Sequence, residues 1–171
     1  MKRTIFTLSL FVLAAASLLS VPAYADTITL TLTNPVQVGS GSLGTSLDFD
    51  ATVSANGKNS GDVFLNSDSF NVDAPLTLDD DGFFFGFPTS LSPGETFTGL
   101  LFTIFLPTNT PNAIFNGSFE ILGGADGSAA SDLATVTFQV NTVPETTTLL
   151  MLGTGLPGLV AMIRRKRSMT S

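Results

Sequence analysis

Hydrophobic and polar residues alternate along most of the chain between residues 26 and 142. Over 27–33 three aliphatic residues are separated by threonines, and over 47–54 four apolar residues alternate with aspartate, threonine and serine. A period of two residues is typical of a β-strand that buries one face and exposes the other. The Asn56-Gly57 pair after the second run favours a tight turn, because both residues tolerate a positive φ. The pattern therefore predicts that this part of the chain begins with two half-buried strands.

Later runs of the same kind predict the remaining strands. Short runs lie at 62–66, 69–72 and 76–78, and longer runs lie at 96–106, 113–122 and 132–141. The side chains of the longer runs expected to point into a core are Leu100, Phe102, Ile104, Leu106, Phe115, Phe119, Ile121, Ala134, Val136, Phe138 and Val140. Seven or eight short strands without helical periodicity are typical of an all-β, antiparallel two-sheet sandwich.

The segment Gly82–Phe87 reads Gly-Phe-Phe-Phe-Gly-Phe. Interpreted as a strand, it directs Phe83, Phe85 and Phe87 to one face and Phe84 to the other. We expect the first three side chains to pack in the core. An exposed binding patch is the alternative, because at least one phenylalanine is left outside.

Two stretches add detail to this fold class. Residues 93–99 read Pro-Gly-Glu-Thr-Phe-Thr-Gly, and residues 116–121 read Asn-Gly-Ser-Phe-Glu-Ile. Together they resemble immunoglobulin-like domains of bacterial surface proteins, in which a final strand also leads directly into a C-terminal tail. The resemblance implies an antiparallel immunoglobulin-like β-sandwich as an extracytoplasmic domain over residues 26–142.

The N-terminal end has the pattern of an export signal. A short basic region, Lys2-Arg3, precedes an apolar run over residues 5–19, and Ala23 and Ala25 give the small-x-small pattern that signal peptidase accepts. The run is shorter than the roughly 20 residues that a membrane-spanning helix needs. We therefore predict that residues 1–25 form a signal peptide, cleaved by signal peptidase before Asp26. An uncleaved membrane helix is the alternative.

The C-terminal end combines three elements in order. Val143-Pro144-Glu145 is followed by an apolar, glycine-punctuated segment over 146–163 and then by a basic cluster. The cluster consists of Arg164, Arg165, Lys166 and Arg167. As a helix the segment would measure about 27 Å, close to the roughly 30 Å of a bilayer's hydrocarbon layer. The basic cluster is expected to stop transfer and stay cytoplasmic, which predicts a single transmembrane helix with the body outside.

This order of elements over residues 143–167 resembles the PEP-CTERM sorting domain, with 168–171 left as a short tail. The usual tripeptide of that family is Pro-Glu-Pro, and here Thr146 stands in place of the second proline. The resemblance implies that an exosortase, a membrane-embedded transpeptidase, reads the Val143-Pro144-Glu145 motif and releases or transfers the body. It also implies a cell-envelope or cell-surface setting in bacteria that make exopolysaccharide, which becomes a candidate partner. A plain single-span anchor is the alternative.

Composition narrows the possible chemistry. The chain has no histidine, cysteine or tryptophan, and its single tyrosine, Tyr24, lies in the predicted signal peptide. Serine–histidine and cysteine–histidine mechanisms are therefore absent. Twelve of the 14 acidic residues lie between Asp48 and Asp132, and Lys58 is the only basic residue between Asp26 and Val143. Such an acidic body repels nucleic acid, so no nucleic-acid partner is expected.

The acidic run Asp79-Asp80-Asp81-Gly82 suggests calcium, but it lacks the ligand spacing of an EF-hand loop. We interpret it as an acidic turn, with a loose cation site as the alternative, and assign no metal and no cofactor. The sequence thus predicts a non-enzymatic exported surface or extracellular-matrix protein, sorted through its C-terminal signal. The alternative is a carbohydrate- or cation-binding module held by a plain C-terminal anchor.

Overall fold

The computed structural model describes residues 27–41 and 44–143, which form nine strands and one short helix. The strands are β1 (Ile28–Leu32), β2 (Val36–Ser40), β3 (Thr45–Ala55), β4 (Val63–Val72), β5 (Thr77–Asp79), β6 (Ser90–Leu91), β7 (Thr96–Leu106), β8 (Ile114–Gly124) and β9 (Ser131–Val143). The helix, α1 (Asp81–Gly86), lies between β5 and β6. Alternating apolar residues form most of these strands, as predicted.

The strands form two sheets packed face to face, which confirms the all-β sandwich. The four-stranded sheet has the order β1-β3-β7-β5, and the five-stranded sheet has the order β2-β9-β8-β4-β6. The prediction of a purely antiparallel sandwich is wrong at one edge, because β2 pairs with β9 in parallel. The chain leaves the first sheet after Leu32 and crosses to the second without reversing, so β2 runs in the direction of β9.

Four phenylalanine rings form the centre of the core. Phe49 and Phe102 project from the four-stranded sheet, and Phe119 and Phe138 project from the five-stranded sheet. The Phe102 ring centroid lies 4.9 Å from that of Phe49, 5.1 Å from that of Phe119 and 4.8 Å from that of Phe138. Contacts of this kind add about 0.5–1.5 kcal/mol each to the free energy gained by burying the rings. The predicted burial of Phe102, Phe119 and Phe138 is confirmed.

Two of the predicted strands are one strand. The runs over 62–66 and 69–72 join in β4, and a register shift against β8 falls between Leu65 and Ser67. Such an irregularity changes which side chains face the core without ending the strand, so the sequence pattern breaks where the structure does not. The chain also forms β2 at Val36–Ser40, which the sequence reading did not predict.

A second irregularity lies in β7. Its register against β3 shifts between Phe49 and Asp50, and Leu101 has no partner in that register. Leu101 and Phe102 are consequently both buried, whereas Leu100 is 36% exposed. The expectation that Leu100 points into the core is therefore wrong, while Ile104 and Leu106, beyond the bulge, are buried as predicted.

The phenylalanine-rich segment is a helix, which corrects its interpretation as a strand. Phe83 and Phe87 lie one helical turn apart and are buried, while Phe84 and Phe85 are exposed. The turn packs close to β7: a Cβ on Gly82 would lie 2.8 Å from the carbonyl oxygen of Leu100. A glycine there permits this approach, and the spacing of Phe83 and Phe87 suits a helix that buries one face.

Candidate functional site

Of the predicted functional residues, Val143 alone lies within the described part of the chain, at the end of β9. The other residues of the sorting motif, Pro144 and Glu145, lie outside the described residues. The same holds for the signal-cleavage residues Ala23 and Ala25 and for the basic cluster Arg164, Arg165, Lys166 and Arg167. The described structure therefore shows what leads into the motif.

Hydrogen bonds hold the end of β9 in place. Thr142 is buried, its hydroxyl donates to the carbonyl oxygen of Pro111 at 2.6 Å, and its oxygen accepts from the Ala113 N–H at 2.8 Å. The Thr142 N–H donates to the carbonyl oxygen of Ala113 at 3.0 Å. One side chain thus ties the β7–β8 loop to the final strand. Val143, which pairs with Ser40 of β2, consequently starts the motif from a defined position.

Exposed aliphatic side chains cluster around this strand end. Val38 and Ile114 both pair with Asn141, one from each side of β9, and Val36 pairs with Gln139. The buried Val140 points inward, so Gln139, Asn141 and Val143 lie on the outer face of the sheet with their cross-strand partners. We call Val36, Val38, Ile114 and Val143 the apolar patch; all four are exposed, Ile114 to 61%.

The same end of the sandwich carries few charges. No ionisable side chain occurs over residues 33–47, 104–119 or 139–143. The acidic residue of the β4–β5 turn, Asp73, is held by a hydrogen bond from the Asn116 N–H to its Oδ2, at 2.8 Å. The strong negative charge of the body therefore lies mostly away from the apolar patch.

The acidic turn lies at the start of α1. Carboxylate oxygens of Asp79, Asp80 and Asp81 lie within 4.8 Å of one another, and the Asp81 N–H donates to Asp79 Oδ1 at 3.0 Å. Within the described residues this is the one group of three such side chains close enough to share an ion. Asp79 and Asp80 are half-buried and Asp81 is exposed, and exposed acidic groups are common without an ion.

A further carboxyl group, that of Asp68, lies close enough to this turn for the charge of Asp80 to affect its pKa. Burial, together with the nearby charge of Asp80, raises the pKa of Asp68 from 3.8 to about 6. Its Oδ2 is buried and accepts no hydrogen bond. Removing a carboxylate from water favours its neutral form, and a like charge nearby adds to the effect. Sequence reasoning missed this group, because Asp68 belongs to a polar stretch of β4.

Two aromatic side chains on α1 are open to solvent. Phe84 is 50% exposed and Phe85 is 84% exposed, which is unusual for residues of this size. An exposed aromatic patch is thus present in this segment, although it comes from a helix. Within residues 27–41 and 44–143, no helix is long and apolar enough to cross a membrane.

Comparisons with known proteins identify no family for this chain. No family model matches the chain, and no curated protein matches it. It is similar to a fragment of Escherichia coli alpha-2-macroglobulin running from domain MG7 to the C-terminus, with 17% identity and a TM-score of 0.48, covering 71% of this chain and 17% of that one. It is also similar to a family 123 glycoside hydrolase from Clostridium perfringens, with 11% identity and a TM-score of 0.43, covering 70% of this chain and 27% of that one. Both likenesses are too distant to inform function.

Proposed function

We propose that this chain is a non-enzymatic exported surface or extracellular-matrix protein. In this proposal the signal peptide is removed, the β-sandwich stays outside the cytoplasmic membrane, and an exosortase reads the C-terminal sorting signal. Signal peptidase and the exosortase are the processing partners, and exopolysaccharide is the candidate partner at the surface.

The strand order supports the finer description of the body as an immunoglobulin-like domain. In constant-type immunoglobulin domains one sheet has the order A-B-E-D and the other contains C, F and G as neighbours. When the strands other than β2 and β6 are lettered A to G along the chain, the order β1-β3-β7-β5 follows the first pattern and β9-β8-β4 follows the second. Here β2 is added beside the last strand and β6 beside the third.

The observation that carries the functional proposal is where the last strand ends. Val143 is the last residue of β9 that the structure describes; it pairs with Ser40, the last residue of β2, and is the first residue of the motif. A sorting signal needs its recognition residues next to, and not within, the folded body. Pro144 and Glu145, the other two residues of the motif, follow directly after this paired residue, which supports a recognition segment next to the folded body.

The experiment compares three chains in the bacterium that encodes the protein. Wild type, the double substitution Pro144→Ala with Glu145→Ala, and a variant lacking 164–167 are each measured by intact mass and membrane fractionation. The double substitution should leave topology unchanged but block processing, giving a membrane-bound protein of full length after signal removal. Without the basic cluster, the tail should slip through the membrane and give unprocessed secreted protein.

A plain anchor predicts a different result. A membrane span does not depend on the two residues before it, so the Pro144 and Glu145 substitutions would then change neither mass nor fractionation. That outcome would overturn the sorting proposal and support the anchor.

The second candidate is a carbohydrate- or cation-binding module held by such an anchor. The observation that favours sugar binding is the exposure of Phe84 and Phe85, since aromatic faces can stack on apolar faces of ligands. Glycan-array binding by the wild type that is lost in Phe84→Ala with Phe85→Ala would support it. Absence of any bound glycan, or binding unaffected by the two substitutions, would count against it. For a cation, the matching measurement is whether calcium raises the melting temperature.

A further inference from the structure

We infer that the apolar patch is a membrane-contact surface. In the unprocessed chain, Val38, Ile114 and Val143 would face the lipid headgroups of the outer leaflet beside the point where the tail enters the bilayer. This inference rests on the proposed function, because it requires residues 146–163 to span the membrane. It adds to the proposed function a fixed orientation of the body against the membrane, which a domain that is only tethered to the membrane need not have.

Chain length sets the distance between body and membrane. Two residues, Pro144 and Glu145, separate Val143 from Thr146, the first residue of the apolar segment. Three fully extended Cα–Cα steps reach at most about 11 Å. The headgroup layer on each side of a bilayer is roughly 5–8 Å thick, from the difference between total and hydrocarbon thickness. With Thr146 at the hydrocarbon boundary, the end of β9 therefore lies within or just above the headgroups.

The strand directions determine which side chains lie beside the end of β9, close to the membrane. β2 and β9 are parallel and end together at Ser40 and Val143, and β8 begins at Ile114 opposite Asn141. Val38 and Ile114 thus flank β9 two residues before its end. The residues closest to the membrane by connectivity are the same residues whose aliphatic side chains are exposed, and contact with lipid would remove that apolar area from water.

Charge favours the same orientation. An acidic body is repelled by anionic lipids, so it approaches a bilayer most readily with the surface that carries the fewest carboxylates, and Glu145 in the connecting segment is one that this orientation brings to the headgroups. The sequence has none over 33–47, 104–119 and 139–143, the ranges that include the apolar patch. In the β4–β5 turn, Asp73 already accepts a hydrogen bond from the backbone at Asn116.

A lipid surface is the occupant favoured over a second copy of the chain. The tail holds the patch beside lipid at a high effective concentration, whereas a second copy must first be encountered in the membrane. The adjoining surface also contains a shallow open cavity of about 380 Å³, lined by residues that include Pro35, Val36 and Gln139. A bilayer is a flat partner, and it can cover this cavity without having a shape that fits into it.

The experiment uses the absence of cysteine from the natural sequence. Single substitutions Ile114→Cys, Val38→Cys and the control Ser60→Cys are made in the chain from Asp26 to Ser171, which lacks the predicted signal peptide but keeps the whole tail. Ser60 is exposed in the β3–β4 loop, at the opposite end of the sandwich. Each thiol carries an environment-sensitive fluorophore, and the proteins are reconstituted in vesicles of phosphatidylethanolamine and phosphatidylglycerol containing lipids with a nitroxide on the headgroup. Far-UV circular dichroism checks that each variant folds.

We expect several-fold stronger quenching by the nitroxide at positions 114 and 38 than at position 60. Equal, weak quenching at all three positions in protein that resists carbonate extraction would overturn the membrane contact and leave the anchored tail intact. Cross-linking between two copies at position 114, without nitroxide quenching, would also overturn it in favour of a self-association surface. Protein that carbonate removes from the vesicles would contradict both this inference and the proposed membrane insertion.

Discussion

Phe102 and Phe119 stack across the two sheets, with ring centroids 5.1 Å apart and ring planes 18° from parallel. Phe102 belongs to β7 of the four-stranded sheet and Phe119 to β8 of the five-stranded sheet, and neither side chain is exposed. The body has no disulfide, because the chain has no cysteine. Contacts of this kind between the sheets are therefore what hold the sandwich closed.

Replacing Phe102 with alanine should strongly destabilise the body. The change removes ring contacts with Phe49, Phe119 and Phe138 and leaves a cavity between the sheets. Phe→Ala changes in cores typically cost about 3–5 kcal/mol of unfolding free energy. Urea unfolding followed by circular dichroism measures the loss. Phe85→Ala, the same substitution at an 84% exposed site, is the matched control and should change stability by less than about 0.5 kcal/mol. Equal effects at both positions would contradict the packing.

Asp68 should make stability depend on pH. Its folded-state pKa is raised to about 6, so between about pH 4 and pH 6 the folded protein binds a proton that the unfolded chain does not. This contribution is fully present below the unfolded pKa and is lost as pH rises through 6. Asp68→Asn should therefore stabilise the protein at about pH 7.5 but hardly at about pH 4, a difference of about 1 kcal/mol after allowing for solvent screening.

Urea unfolding of both proteins at the two pH values measures that difference. Asp80→Asn provides the control, because it keeps Asp68 and removes the charge that repels it. The pH dependence should then shrink without disappearing. An effect of Asp68→Asn that is the same at both pH values would show that burial does not perturb this carboxyl group.

Gly123 should not accept a side chain. A Cβ at this position would overlap the carbonyl oxygen of Phe64 on the neighbouring strand. Gly123→Ala should cost about 1–3 kcal/mol, since the β4–β8 pair must move apart. Gly127 in the following loop has no atom within 4 Å of such a Cβ, so Gly127→Ala is a matched control expected to be near neutral. Melting temperatures of the two variants give the comparison, and similar values would argue against the close approach of β4 and β8.

Signal-peptide removal can be checked by absorbance. The chain has no tryptophan, and its only tyrosine is Tyr24. If signal peptidase cuts between Ala25 and Asp26, the exported protein should lack the near-ultraviolet absorption band that these two residues give. Intact mass provides the independent measurement. Clear tyrosine absorbance in purified exported protein would show that the cut lies before residue 24 or does not occur.

The strands that alternate cleanly were the ones that the sequence could predict. Ile28, Leu30 and Leu32 are buried as the pattern of β1 indicates, because an unbroken strand keeps a period of two residues. The alternation predicted the wrong inward-facing side chains where the backbone departs from that period. At Leu100 the bulge in β7 moves the inward-facing position by one residue, and only the pairing with β3 reveals the shift.

The errors at Gly82–Phe87 and β2 have a different origin. Phe83 and Phe87 fit a strand face and a helix face equally well, and the close approach of Gly82 to β7 is a tertiary contact that no local pattern shows. β2 is short, and its place beside β9 depends on pairing across about 100 residues of sequence, which no local pattern encodes. The apolar patch was missed for the same reason, because its members come from three strands.

Because β2 and β9 pair in parallel, the resistance of the body to a pulling force depends on the direction of that force. A pull between Thr27 and Val143 draws β2 back along its axis and draws β9 forward along its own. Because the two strands are parallel, these displacements run in opposite directions along the pair. The residue pairs from Val36–Gln139 to Ser40–Val143 are therefore loaded in shear at the same time and do not open one after another. Forced unfolding is governed by the unfolding rate under load. If the body is held by its tail as proposed, a force applied at its N-terminal end would therefore strain it along a direction in which the β2–β9 pair resists separation.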